Sequence, residues 1–222
     1  MVINVAIDGP AGAGKSTVAR AAAKELGYIY VDTGALYRAV GVNALRNNLD
    51  TTDAAAVSAT LDKITVELKF ADGVQQVLLN GENVSEEIRT PDASMAASNV
   101  SAIPAVRAFL FDLQKNIAKE NNCLMDGRDI GTVVLPDAQV KIFLTASAEK
   151  RAKRRYDELI AKGTKVEYNN VLEELIQRDY NDSHREVAPL KPAEDSILVD
   201  TSDLSLEESI DKVVSTIKEK IG

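Results

Sequence analysis

A glycine-rich loop near the start of the chain restricts the possible folds more than any other feature of the sequence. Gly9-Pro10-Ala11-Gly12-Ala13-Gly14-Lys15-Ser16 fits the pattern G-x-x-x-x-G-K-[ST] without a mismatch, and Thr17 follows it. The apolar run 2–7 before the loop predicts a strand, and the alanine-rich segment 15–26 after it predicts a helix that Gly27 ends. This order predicts a phosphate-binding loop at the N-terminus of a helix in an α/β fold.

The loop offers each group that a bound nucleoside triphosphate needs. Its glycines let backbone N–H groups converge on phosphate oxygens, and the helix N-terminus adds its positive end. Lys15 is expected to reach the β- and γ-phosphates of ATP, and the Ser16 hydroxyl is expected to bind Mg²⁺. The alternative, a glycine-rich turn with an incidental lysine, is disfavoured by the complete match and its context. We therefore interpret residues 9–17 as the ATP-binding segment.

Short β-branched segments alternate with longer alanine-rich segments, which predicts a doubly wound parallel sheet. Further strands are expected at 28–31, 123–125, 140–144 and 197–199, and helices at 35–47, 104–120 and 204–221. The last helix is predicted to be amphipathic, with Leu206, Ile210, Val213, Val214 and Ile217 on one face. Cys123 lies within an apolar run and is interpreted as a core residue.

A different pattern interrupts this alternation. Apolar and polar residues alternate from 64 to 70, and Asp72-Gly73 and Asn80-Gly81 supply hairpin turns. We interpret residues 63–100 as a small antiparallel β insert, joined to the core by a short helix through Met95. The core domain then consists of residues 1–62 and 101–222.

Two polar helices are expected at 148–162 and 166–183, with too little apolar surface to lie within the core. The first carries a dense basic run, namely Lys150, Arg151, Lys153, Arg154 and Arg155. A solvated face is the usual meaning of such a run. Because the chain also has a phosphate loop, we interpret residues 148–185 as a helical lid that closes cations over the transferring phosphates.

Polar segments follow two predicted strands at the sheet edge where the phosphate loop lies. Asp32-Thr33-Gly34, with Arg38 one helical turn later, follows the second strand, and Asp126-Gly127-Arg128-Asp129 follows the strand at 123–125. Ligands of doubly wound sheets bind at this edge, and a carboxylate such as that of Asp126 suits a hydrated Mg²⁺. The alternative is a turn with a surface ion pair.

Arg178, Asp182 and Arg185 recur at positions i, i+4 and i+7, which places them on one face of a helix. Guanidinium groups suit bidentate contacts with phosphate, and a carboxylate suits sugar hydroxyls. A salt-bridged, solvent-facing helix is the alternative that the spacing leaves open. His184, the only histidine, receives no chemical role.

The charge balance and the termini restrict the partners and the compartment. The 26 Lys and Arg against 34 Asp and Glu give a net charge of −8, which argues against sequence-independent binding to nucleic acid. We expect no membrane span, no signal peptide and no disulfide within the chain, because the sequence lacks a long apolar stretch, a basic N-terminal region and a second cysteine. The expected protein is a cytoplasmic monomer without a nucleic-acid or membrane partner.

The phosphate loop by itself identifies a user of nucleoside triphosphates and leaves the reaction open. A GTPase would need an Asn-Lys-x-Asp segment after a strand, which the sequence lacks. A helicase would need a basic groove, which the net charge disfavours. Phosphoryl transfer to a small molecule remains.

Four segments, 7–16, 32–38, 126–134 and 178–190, together resemble the bacterial cytidylate kinase family. The resemblance covers almost the whole chain, and the Asp-Gly-Arg-Asp and Val-Ala-Pro-Leu stretches are specific to that family. It implies transfer of a phosphoryl group from ATP to CMP or dCMP, with Mg²⁺, to give CDP or dCDP.

The resemblance also implies that the insert at 63–100 is a monophosphate-binding domain, and it implies roles for individual residues. The cytosine contacts are Thr33, Arg107 and Asp129; the acceptor-phosphate contacts are Arg38, Arg128 and Arg185; the sugar contacts are Ser98, Arg178 and Asp182; the catalytic residues are Lys15, Arg128, Asp129 and Arg185; the Mg²⁺ ligands are Ser16 and Asp126. Two alternatives stay open, namely a kinase for a non-nucleotide acceptor and a regulatory module that ATP switches.

Overall fold

The computed structural model describes residues 2–71 and 74–222, so the predicted turn at Asp72-Gly73 lies outside the described residues. In chain order the elements are β1 (Asn4–Asp8), α1 (Lys15–Leu26), β2 (Ile29–Asp32), α2 (Thr33–Arg46), α3 (Ala54–Ser58), β3 (Val66–Ala71), β4 (Val74–Leu79), β5 (Glu82–Asn83), α4 (Pro91–Val100), α5 (Pro104–Glu120), β6 (Cys123–Gly127), β7 (Val140–Thr145), α6 (Ala148–Ala161), α7 (Tyr168–His184), β8 (Ile197–Asp200) and α8 (Leu206–Ile221).

The central sheet is parallel throughout, with the strand order β2-β6-β1-β7-β8, and confirms the predicted doubly wound α/β fold. β2 and β6 run further than the sequence predicts, because their pairing continues into the polar residues at the sheet edge. Asp32 is the register partner of Asp126 as a result. The extended pairing therefore brings two carboxylates side by side, next to the loop that follows β1.

The two faces of the sheet carry separate cores. Val5 and Ile7 pack with α1 and α8, whereas Ala6 packs on the opposite face with Cys123 and Ala118 of α5, as the two-residue repeat of a strand requires. Burial raises the pKa of the Cys123 thiol to about 12, which agrees with a core residue. Leu206, predicted on the apolar face of the last helix, starts α8, is 55% exposed and lines a cleft.

The phosphate loop is held tightly against the sheet. Gly9 has φ +151°, and a Cβ atom at this position would lie 1.9 Å from the Leu144 carbonyl oxygen of β7. A larger residue would therefore push the loop off the strand. Gly27 ends α1 in the left-handed conformation, as predicted, and its N–H bonds the carbonyls of Ala23 and Lys24.

Antiparallel pairing of β3, β4 and β5 forms the second, three-stranded sheet. Its inner side chains, among them Val66 and Val77, share one hydrophobic cluster with α2, α4 and α5. The β insert is therefore packed directly on the helix that carries Arg38. The boundaries 63 and 100 stay a prediction.

The paired helices α6 and α7 are anchored more firmly than two projecting helices would be. Tyr156 and Tyr168 meet edge to face at 6.0 Å, and Ala152 and Val171 form a small core with Ala11 of the phosphate loop. The base of this helix pair is thus part of the loop's own packing, while closure of the pair as a lid stays a prediction. Within the described residues, no helix is both long enough and apolar enough to cross a membrane.

Candidate active site

A cleft of about 1480 Å³ opens at the carboxyl edge of the central sheet. It brings together all of the predicted acceptor residues and most of the phosphate loop, even though they come from distant parts of the chain. The lining includes Ala11–Thr17, Thr33, Arg38, Ser98, Arg107, Asp126, Arg128, Asp129, Arg178, Asp182 and Arg185. The loop residues Gly9 and Pro10 do not line this cleft, although both belong to the predicted ATP-binding segment.

The lysine of the phosphate loop is buried and points back along the loop. Its Nζ donates a hydrogen bond to the Pro10 carbonyl at 2.8 Å. Burial, reinforced by the nearby Arg128 guanidinium, lowers the pKa of Lys15 from 10.5 to about 7. A bound phosphate would favour the protonated form, so binding of an anion and protonation of Lys15 are coupled.

Ser16 and Asp126 lie together, as the predicted Mg²⁺ site requires. The Ser16 hydroxyl donates to Asp126 Oδ2 at 2.8 Å, and the Tyr30 hydroxyl donates to Asp126 Oδ1 at 3.1 Å. Burial, together with the charge of Asp32, raises the pKa of Asp126 to about 6. A hydroxyl and a carboxylate beside a phosphate loop are hard oxygen donors that fit Mg²⁺, which takes its other ligands from phosphates and water.

Thr33 and Arg38 project from the first turns of α2, which starts at Thr33 because the Asp32 carboxylate caps it by accepting from Ala35 N. The buried Thr33 hydroxyl donates to the Asp126 carbonyl at 2.8 Å, and Arg38 Nη2 donates to Asp32 Oδ2 at 2.5 Å. Arg38 Nε is buried and has no partner among the described residues. An anionic ligand in the cleft can supply that partner.

Asp129 lies between two arginines from different segments, Arg107 of α5 and Arg185 after α7. Arg185 Nη2 donates to its Oδ1 at 3.0 Å, and Arg107 donates to its Oδ2. All three side chains are at most 10% exposed. The Arg107 guanidinium also lies over the ring of Tyr37, at 5.9 Å from the ring centre. The carboxylate is therefore fixed in position without any ligand.

Asp182 pairs with a residue of another segment and not with its helix neighbours. Arg128 Nε donates to Asp182 Oδ2 at 2.7 Å, and this pair lowers the pKa of Asp182 although burial opposes the change. Arg178 instead donates to the Ser94 hydroxyl at 3.2 Å, and Arg185 lies just beyond the last helical residue, His184. The alternative of a salt-bridged helix face is therefore wrong, and α7 does not carry all three residues.

The segment after α7 folds back to hold Arg185. Arg185 Nε donates to the Ala188 carbonyl at 2.6 Å, and Leu190 N donates to the Asp182 carbonyl at 2.8 Å. Ala188 has φ +50°, a conformation that L-residues other than asparagine and aspartate seldom adopt. The Val-Ala-Pro-Leu stretch thus contributes through its backbone.

Asp8 and Gln75, to which the sequence patterns assign no role, hold this site together. The buried Asp8 carboxylate accepts the N–H groups of Ile130 and Gly131, at 2.8 and 2.7 Å, and so fixes the chain directly after Asp129. Burial raises the pKa of Asp8 to about 6. Gln75 of the insert bonds both backbone groups of Asp32, at 2.8 Å to N and 3.3 Å to O. Asp8 could have been found from one signal in the sequence, a carboxylate at the end of an apolar strand.

The basic residues of α6 make several different kinds of contact. Arg154 and Arg155 line the cleft, and Arg154 Nη2 donates to the Thr201 carbonyl at 2.6 Å. Lys150 and Lys153 form exposed pairs with Asp203 and Asp157. Arg151 is buried against the phosphate loop. Only part of the run is thus placed as the lid hypothesis expects.

Solved structures share this architecture at low sequence identity. A shikimate kinase from Bacteroides thetaiotaomicron has a TM-score of 0.50 and 12% identity, over 97% of this chain and 98% of that one. A gluconokinase from Sinorhizobium meliloti has a TM-score of 0.50 and 14% identity, over 98% and 92%. These similarities support the fold alone.

Other proteins are much more similar to this chain in sequence than these solved structures are. A cytidylate kinase from Caldicellulosiruptor saccharolyticus is 52% identical over 220 residues, which cover 99% of this chain and 97% of that protein. A cytidylate kinase from Lactobacillus johnsonii is 48% identical over 219 residues, which cover 99% and 95%. A family model described as cytidylate kinase matches residues 5–219. The chain therefore belongs to the cytidylate kinase family.

Proposed function

We propose that this protein transfers the γ-phosphoryl group of ATP to CMP or dCMP, giving ADP and CDP or dCDP. The observation that carries the proposal is a single cleft with a phosphate loop at one end and a set of buried arginines and carboxylates at the other. Two polyanions can lie end to end in such a cleft, which is the arrangement that in-line phosphoryl transfer needs. Family membership supports the cytosine nucleotides as acceptors.

The donor end binds ATP through the phosphate loop. Backbone N–H groups of residues 12–17 and the Lys15 ammonium contact the β- and γ-phosphates. Ser16 and Asp126 would hold Mg²⁺, which neutralises charge on the phosphate oxygens when bound. Their hydroxyl and carboxylate already lie 2.8 Å apart at the end of the loop, which supports this assignment.

The acceptor phosphate lies among Arg38, Arg128 and Arg185. One of its ionised oxygens attacks the γ-phosphorus, the bond between that phosphorus and the bridging oxygen breaks, and ADP leaves with the electron pair. The arginines position the acceptor and offset the charge of the two phosphates. No general base is needed, because a phosphate monoester is largely ionised near neutral pH.

The base and the sugar lie deeper in the acceptor end. The Asp129 carboxylate accepts a hydrogen bond from the N4 amino group of cytosine. Arg107 and Thr33 donate hydrogen bonds to the acceptor atoms of the cytosine ring. Ser98, Arg178 and Asp182 contact the sugar; a carboxylate has about four acceptor sites, so Asp182 can hold Arg128 and a hydroxyl at the same time. The paired arginines of Asp129 fix its direction before the base arrives, which supports its use for discrimination.

The test is ADP formation from ATP and Mg²⁺ with CMP, dCMP, UMP, AMP, GMP or no acceptor, measured side by side. Fast turnover with CMP and dCMP, little with the purine nucleotides and none without acceptor is the expected result. Equal, acceptor-independent hydrolysis would contradict the proposal and favour a module that ATP switches. No ADP formation with any of the five nucleotides, but turnover with a sugar acid, would favour a kinase for a non-nucleotide acceptor.

A further inference from the structure

The backbone of Ala11, in the middle of the phosphate loop, is held on both sides by side chains of the lid helices. Its N–H donates to Asp179 Oδ1 of α7 at 3.3 Å, and its carbonyl accepts from Arg151 Nη1 of α6 at 2.8 Å. The same Arg151 Nη1 lies 2.7 Å from Asp179 Oδ2. The ion pair and the backbone of this one loop residue therefore form a closed ring of contacts.

Arg151 is buried in this ion pair, and Asp179 is half-buried. The Arg151 side chain is 6% exposed and that of Asp179 is 20% exposed. Arg151 Nε also donates to the Ala146 carbonyl at the end of β7, at 2.8 Å. A buried ion pair seldom stabilises a fold more than apolar residues of the same size would, because its desolvation is costly. Its place against the loop therefore calls for a role other than stability.

The packing around the pair joins the same elements. The Ala11 side chain belongs to a small core with Ala152 of α6 and with Val171 and Leu175 of α7. A Cβ atom on Gly12 would lie only 3.4 Å from Arg151 Cβ. Close-packed groups cannot shift independently, so the conformation of the loop depends on the base of the helix pair.

We propose that Arg151 and Asp179 are positioning residues that hold the phosphate loop in the shape required to bind the donor nucleotide. Neither residue lines the cleft, so each acts through Ala11 and not on the substrate. The residues that follow Ala11 supply the N–H groups that surround the phosphates. The inference rests on the proposed function, since it assigns the loop to the donor.

The experiment compares Asp179→Asn and Arg151→Met with Asp157→Asn, a matched change in an exposed ion pair on α6. Dissociation constants for ADP and for CMP are measured for each variant, with KM for ATP, KM for CMP, kcat and Tm. Asp179→Asn keeps an acceptor for Ala11 N–H but loses the ion pair. We expect ADP affinity and kcat/KM for ATP to fall about tenfold in this variant and more in Arg151→Met, with CMP affinity unchanged.

A purely structural role would lower Tm and weaken ADP and CMP alike, and that result would overturn the inference. An ADP dissociation constant in Asp179→Asn equal to that of Asp157→Asn would overturn it as well. If Arg151→Met does not fold, Asp179→Asn decides, because Arg151 keeps its two carbonyl partners there. ADP binding needs no acceptor, so a wild-type protein that fails to phosphorylate CMP refutes the proposed function separately.

Discussion

The two ends of the cleft are built in opposite ways. The donor end uses mainly one continuous segment, residues 9–17, whose groups are placed by backbone geometry, and Asp126 of β6 lies beside it. The acceptor end takes side chains from α2, α4, α5, the turn after β6 and the end of α7. Asp129 alone joins Arg107, 22 residues away, to Arg185, 56 residues away. A local loop can form wherever a strand meets a helix, whereas the acceptor end exists only when the whole fold does.

The difference has an energetic consequence. The acceptor end contains buried charges in pairs, and removing one partner leaves the other without compensation in a place that water barely reaches. The donor end has few such pairs within the loop itself. Changes at the acceptor end should therefore cost both stability and acceptor binding, while changes within the loop should act on donor binding and turnover with little loss of stability.

The largest effect is expected for Lys15→Ala. This change removes the one side-chain cation of the loop, so kcat should fall about a thousandfold with every acceptor. The measurement is steady-state ADP formation with CMP and with dCMP, and Lys24→Ala on the exposed end of α1 is the control. Near-normal turnover in Lys15→Ala would break the assignment of the donor end.

Asp129→Asn should affect both stability and specificity, since it leaves Arg107 and Arg185 without their carboxylate. We expect the free energy of unfolding to fall by about 3 kcal/mol and kcat/KM for CMP to fall roughly a hundredfold. Because the partner of the N4 amino group is lost, the preference for CMP over UMP should shrink too. Denaturant unfolding and the ratio of kcat/KM values measure the two effects, with Asp157→Asn as control. An unchanged CMP to UMP ratio would remove Asp129 from base recognition.

The pH dependence of ADP binding should sharpen the contrast. Burial and Arg128 lower the pKa of Lys15 to about 7, so the free protein loses this proton as the pH rises above 7, while a bound phosphate favours the protonated form. ADP affinity should therefore weaken above pH 7, at most about tenfold per pH unit, with proton uptake on binding at pH 8. Titration calorimetry in buffers of different ionisation enthalpy measures this uptake. Lys15→Ala should abolish it, and uptake that persists in that variant would assign the proton elsewhere.

The smallest effect is expected for Gln75→Ala, which removes the bonds between the insert and the backbone of Asp32. Loss of these bonds should cost about 1 kcal/mol of stability and raise KM for CMP by about fivefold or less, without changing KM for ATP. Gln76→Ala is the matched control, because successive side chains of β4 point to opposite faces. A change in KM for ATP instead would show that the insert acts on the donor end.

The sequence predicted what local rules determine. The loop, the cap at Gly27 and the helix at Pro104–Glu120 are set by glycine conformation, by the fixed φ of proline and by apolar periodicity. Periodicity alone does not decide burial, as Leu206 shows. It falls on the predicted apolar face of α8, but as the first residue of that helix it is exposed.

Contacts between distant segments lay outside such rules. Asp8 bonds Ile130 across 122 residues, and Asp179 bonds Ala11 across 168. Spacing on α7 suggested a local ion pair for Asp182, but its partner comes from the turn after β6. Strand ends and helix spacing indicated most members of the acceptor end, but Ser98, Arg107 and the role of each residue came from the resemblance. Sequence patterns in this chain specify elements, and the fold decides which charges meet.

The most direct test of this division is a set of four dissociation constants, for ADP and for CMP, measured in Lys15→Ala and in Asp182→Asn relative to the wild type. Lys15→Ala should weaken ADP and leave CMP unchanged. Asp182→Asn, which frees Arg128 from its partner, should weaken CMP about tenfold and leave ADP unchanged. If either variant weakens both nucleotides to the same extent, the two ends of the cleft are not separate sites.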